Sequence, residues 1–66
     1  MKTAKYSLFS ETYNKVVYVT LDRAIAIAIA MESEMQPAWG VQIEDESGKT
    51  VADIQNGVDV VRKYYA

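Results

Sequence analysis

Thr20-Leu21-Asp22-Arg23-Ala24-Ile25-Ala26-Ile27-Ala28-Ile29-Ala30-Met31 is the stretch on which the fold turns. From Ala24 to Ala30 it alternates with period two, the spacing of a strand. Both members of the alternation are apolar, however, so no polar face is defined. Alanine is also the best helix former and is depleted from strands. Thr20 is placed to cap a helix N-terminus, and Asp22 puts negative charge in the first turn, where the dipole favours it. The stretch therefore reads as a helix over residues 21–35. At about 100° per residue, Leu21, Ala24, Ile25, Ile27, Ala28, Ile29, Met31 and Met35 fall on one broad arc. Asp22, Arg23, Ser33 and Glu34 fall opposite, with Ala26 and Ala30. So wide an arc suits a helix lying flat on a sheet. Glu32 falls inside the arc but in the last turn, from which it is expected to reach water. Gln36-Pro37 ends the helix, because proline disfavours helical geometry in the residue before it.

On the N-terminal side, Lys5 to Val19 is rich in Tyr, Val, Phe and Leu, interrupted by Ser10-Glu11-Thr12-Tyr13-Asn14. This predicts a hairpin with strands near 5–10 and 15–19. Tyr6, Leu8, Val17 and Val19 form the candidate buried set, leaving Phe9, Val16 and Tyr18 on the other side. On the C-terminal side, Trp39-Gly40-Val41-Gln42-Ile43 alternates, Glu44-Asp45-Glu46-Ser47-Gly48-Lys49 turns, and Thr50-Val51-Ala52-Asp53-Ile54 returns. Gly48 suits the left-handed position of a three-residue hairpin loop. That loop sets Ile43 opposite Val51 and Val41 opposite Asp53, with Trp39, Val41, Ile43 and Val51 on the core face. Asn56 is placed to cap a short final helix with Asp59 at its third position. Val58, Val61 and Tyr65, or Val60 and Tyr64, would dock that helix; a strand is the alternative for this valine- and tyrosine-rich segment. The expected fold is α+β in the order ββαββα, an antiparallel sheet of two hairpins with one main helix and a short C-terminal helix. Residues 1–66 form a single domain in this reading.

Composition narrows the chemistry. The 66 residues are 50% apolar, with no cysteine and no histidine. A chain of this size buries only about 60% of its unfolded surface, so its stability margin is thin. Disulfides, thiolate metal sites and cysteine nucleophiles are excluded, as are mechanisms with a histidine base. No nucleophile–base pair, Gly-rich phosphate loop or calcium-loop pattern is present, so no catalytic residue, metal ligand or cofactor is assigned. No signal-peptide core or membrane-length apolar run is visible, and a cytoplasmic protein is expected.

Charge is distributed unevenly. Nine acids face seven bases, a net of −2. Residues 1–23 carry Lys2, Lys5, Lys15 and Arg23 against Glu11 and Asp22, whereas residues 32–59 carry seven acids against Lys49 alone. Clustered bases, the mark of a nucleic-acid binder, are missing, so no direct contact with nucleic acid is expected. Glu32, Glu34, Glu44, Asp45, Glu46 and Asp53 are the candidate partner-binding acids. A carboxylate surface can imitate phosphate spacing and attract a protein with a basic, nucleic-acid-binding groove. Tyr13, Tyr64 and Tyr65 are candidate aromatic contacts, since tyrosine buries area at low entropic cost.

In size, single-domain build, acidity and lack of a catalytic motif, the chain resembles the small inhibitors encoded by phages and mobile elements, anti-CRISPR proteins among them. No motif residue carries that resemblance. It implies a non-catalytic protein that occludes the DNA site of a nuclease or surveillance complex. The alternative is a small bacterial accessory domain, homodimeric, that binds a peptide or small molecule on its open sheet face, with the acids only solubilising the chain.

Overall fold

Tyr6, Leu8, Val17 and Val19 share one side of a hairpin, as their spacing predicts. A computed structural model describes residues 2–11, 13–34 and 40–61. Strands β1 (Ala4–Phe9) and β2 (Asn14–Val19) pair antiparallel. Tyr6 lies opposite Val17 and Ala4 opposite Val19. Directly opposed residues point to the same face, so Ala4, Tyr6, Leu8, Val17 and Val19 face one way. Phe9, Val16 and Tyr18 face the other way. Leu8 and Val17 are buried, whereas Val16 and Tyr18 are exposed.

Helix α1 (Leu21–Glu34) follows β2 directly. The Thr20 hydroxyl accepts the Arg23 N–H at 3.2 Å and the Thr20 carbonyl accepts the Ala24 N–H at 2.9 Å, so Thr20 caps the helix as expected. Ala24, Ile25 and Ala28 are buried against the sheet. The end of the helix at Gln36-Pro37 and the core position of Trp39 lie outside the described residues.

The chain returns as β3 (Val41–Glu44), β4 (Thr50–Gln55) and β5 (Val58–Asp59). The five strands form one antiparallel sheet in the order β2-β1-β3-β4-β5. β3 thus joins the two hairpins by pairing with β1, and α1 carries the chain across β1. The fold is a two-layer α+β arrangement. Leu8, Val41, Ile43, Ala52 and Ile54 reach the centre of the core from three neighbouring strands, and all five are fully buried beneath the helix.

Two sequence expectations are corrected. The second hairpin keeps the expected loop: Asp45 N–H donates to Lys49 C=O at 3.0 Å, Gly48 N–H donates to Asp45 C=O at 3.1 Å, and Gly48 takes φ 84°. Glu44 then pairs with Thr50. The next pair is Ile43 with Ala52, not with Val51, and Val41 lies opposite Ile54, not Asp53. Val51 is an extra residue in a β-bulge. The bulge is physically required, because a one-residue slip exchanges the two faces of a strand. Without it Ala52 and Ile54 would face out and Asp53 would enter the core.

The second correction concerns the C-terminus. Asn56 does not cap a helix beginning at Gly57. Asn56 and Gly57 both have positive φ, 54° and 76°. They are the two central residues of a tight hairpin turn of the mirror-image type that Asn-Gly favours. Val58–Asp59 pairs back onto β4, with Val58 opposite Gln55 and Asp59 opposite Ile54. The order is therefore ββαβββ through the described elements, and the short C-terminal helix is not matched. Val60 and Val61 have helical backbone. The Asp59 carboxylate accepts the Val61 N–H at 3.1 Å. Residues 62–66, including Tyr64 and Tyr65, lie outside the described residues.

Candidate functional site

The side of the sheet away from α1 is covered by no described element. Its residues follow from the register: Lys5, Ser7 and Phe9 on β1, Asn14, Val16 and Tyr18 on β2, Gln42 and Glu44 on β3, Thr50, Asp53 and Gln55 on β4, and Val58 on β5. The face is divided. Over β2 and β1 it presents Phe9, Val16 and Tyr18 among Lys5, Ser7 and Asn14, with Tyr18 71% and Val16 46% exposed. Over β3 and β4 it carries carboxylates and amides. Asp53 Oδ2 accepts from Gln55 Nε2 at 3.3 Å, which fixes that carboxylate along the strand. Beside it, Phe9, Glu11, Gly40, Gln42, Asp53 and Gln55 border a shallow cavity of about 250 Å³.

The six candidate acids do not form one surface. Glu44 and Asp53 share the outer sheet face, both half-buried. Asp45 and Glu46 lie at the β3–β4 turn, at the sheet end that holds Ala4 and the start of α1. There they border a second cavity of about 440 Å³ with Lys2, Tyr6 and Leu21. Glu34 is exposed at the far end of the helix. Glu32 leaves the set altogether. It is only 4% exposed, and its carboxylate accepts the Asn56 N–H at 3.0 Å and the Gly57 N–H at 2.6 Å. The expectation that it reaches water is corrected. It clamps the end of α1 to the β4–β5 turn, receiving two backbone donors that a tight turn turns outward.

Asp45 is committed to its own loop. One oxygen, Oδ1, accepts from Ser47 Oγ at 2.6 Å, Ser47 N–H at 2.9 Å and Lys49 N–H at 3.1 Å. The Ser47 hydroxyl above all, joined by the Lys49 and Ser47 N–H groups and the Lys49 charge, holds the Asp45 carboxyl below its ordinary value of 3.8 against desolvation. The turn therefore keeps its negative charge in a fixed place. Tyr13 is 50% exposed in the β1–β2 loop, where its carbonyl accepts the Ser10 N–H at 2.8 Å.

Sequence reasoning missed the outward position of Gln55, which appears only once the bulge sets the register, whereas that of Gln42 follows from the alternation of β3 alone. It also missed Glu32 as a structural acid. The signal for that was available: Asn56-Gly57 is a strong hairpin dipeptide, and a carboxylate inside an apolar arc needs donors. Among the described residues no group of three or more acids is placed to hold a metal ion, and no helix is long and apolar enough to cross a membrane. No known protein family, curated protein or solved structure matches the chain.

Proposed function

We propose that this is a non-catalytic interaction protein that docks through the outer face of its sheet onto a basic protein surface. The observation that carries the reading is the uncovered face itself, with Tyr18 71% exposed on the edge strand β2 and Glu44 and Asp53 on the same face of β3 and β4. Exposed aromatic and β-branched side chains on a flat sheet supply buried area, and neighbouring carboxylates select a positively charged partner. A groove that binds nucleic acid is the natural basic surface of that kind. Occlusion of such a groove, as in anti-CRISPR-type inhibitors, is the form of activity that this chemistry suits best.

Glu44 and Asp53 are the acids on this face that support the reading, while Asp45 and Glu46 lie at the β3–β4 turn. Glu32 has no part in it. The test is affinity capture from a lysate of the source organism, comparing the wild-type protein with a Glu44→Lys/Asp53→Lys variant of unchanged circular dichroism. Nucleic-acid-binding proteins retained by the wild type are expected to fall at least about tenfold with the variant, as reversed charge at a complementary interface costs several kcal/mol. Equal retention by both would contradict the reading.

A further inference from the structure

β2 ends the sheet with a six-residue edge, whereas the opposite edge, β5, is two residues long. Short edge strands are a common protection against pairing, so β5 is blunted and β2 is not. The hydrogen-bond phase of β2 can be counted. Ser10 N–H donates to Tyr13 C=O at 2.8 Å. In an antiparallel ladder hydrogen-bonded and non-bonded pairs alternate. The bonded pairs are then Leu8 with Lys15, Tyr6 with Val17 and Ala4 with Val19. Asn14, Val16 and Tyr18 therefore direct their backbone N–H and C=O groups away from β1, and no described strand meets them.

We infer that this edge pairs antiparallel with β2 of a second copy of the chain, about a two-fold axis at Val17. Val16 of each copy then lies opposite Tyr18 of the other, and both are residues whose backbone groups point outward. On the outer face this makes two aromatic–β-branched pairs, a favourable cross-strand combination, from the exposed side chains Tyr18 and Val16. On the helix face Lys15 lies opposite Val19, so the two lysines stand at opposite ends of the paired edge. A register with Lys15 opposite itself would set like charges face to face. Pairing the two edges closes the assembly at two copies and makes one ten-stranded sheet, its two outer faces side by side. This inference does not rest on the proposed basic partner, and either can fail alone.

Sedimentation equilibrium of the full chain tests it. The expected mass is twice 7.4 kDa at about 100 μM protein. Val16→Pro removes an outward N–H and leaves the β1 ladder intact, since proline is tolerated on edge strands. It is expected to give a folded monomer. Val16→Lys, which keeps the backbone, is expected to do the same and stands in if the proline variant does not fold. A monomeric wild type, or dimers that persist in both variants, would overturn the inference. The register has its own test in a chain that lacks cysteine. Mixing Val16→Cys protein with Tyr18→Cys protein is expected to give a disulfide-linked heterodimer on oxidation, because opposed strand residues meet the Cα spacing of a disulfide. Cross-linking of either variant with itself, and not in the mixture, would contradict the register.

Discussion

Glu32 and Asp45 are both acids that accept several hydrogen bonds, and they do so for opposite purposes. Glu32 sits 4% exposed and joins two elements far apart in the chain through Asn56 and Gly57. Hydrogen bonds to a charged group contribute about 1.5–3 kcal/mol each. Glu32→Ala is therefore expected to lower stability by about 2–4 kcal/mol, seen as a fall in the urea midpoint. Glu32→Gln keeps one good acceptor and is expected to lose less. An alanine variant as stable as the wild type would show that the clamp contributes nothing. Asp45 acts within one loop. Its folded-state carboxyl is held below 3.8 by Ser47 and Lys49, so the stability it adds is present above that value. It is lost as pH falls through the lowered folded value. Asp45→Asn is expected to flatten the acid limb of the stability–pH curve below about pH 4 and to leave its shape at neutral pH unchanged. Urea midpoints measured from pH 2 to 7 would check this.

At the scale of elements, α1 and the β1–β2 hairpin were legible because their signals are local. Thr20 caps within four residues, alanine favours helix, and the two faces of the hairpin differ in residue type. The second hairpin was legible in its loop but not in its register. Nothing in the alternation of Thr50-Val51-Ala52-Asp53-Ile54 marks Val51 as the extra residue. Only the need to bury Ala52 and Ile54 together with Val41 and Ile43 decides it. The β4–β5 turn was misread because Asn and Asp serve equally at helix caps and turns, and the donor–acceptor match with Glu32 spans 24 residues. The bulge makes a direct prediction. Deleting Val51 joins Thr50 to Ala52 and restores a continuous ladder with the same faces, so the deletion variant is expected to fold, at a modest loss of stability. Deleting Gln42 puts Val41 and Ile43 on opposite faces of β3 and is expected to unfold the chain. Circular dichroism and urea melts of both variants would decide, and a folded Gln42 deletion with an unfolded Val51 deletion would contradict the register.

For the molecule as a whole, α1 covers one side of a five-stranded sheet, and no described element covers the other. Of the net charge of −2 that side carries only part: among the described residues the register places Lys5 there against Glu44 and Asp53, while Asp45 and Glu46 lie at the β3–β4 turn. The acidic surface suggested by composition is smaller than the run of acids implied, since Glu32 is consumed by the fold and Glu34 lies at the helix end. What replaces the missing area is aromatic and β-branched, which the acid count could not reveal. The most direct measurement is an electrophoretic competition with a captured nucleic-acid-binding partner and short duplex DNA. The wild-type protein should displace the DNA as its concentration rises, and the Glu44→Lys/Asp53→Lys variant should not. DNA and protein held together on the partner, or displacement equally strong with the variant, would contradict docking through this face.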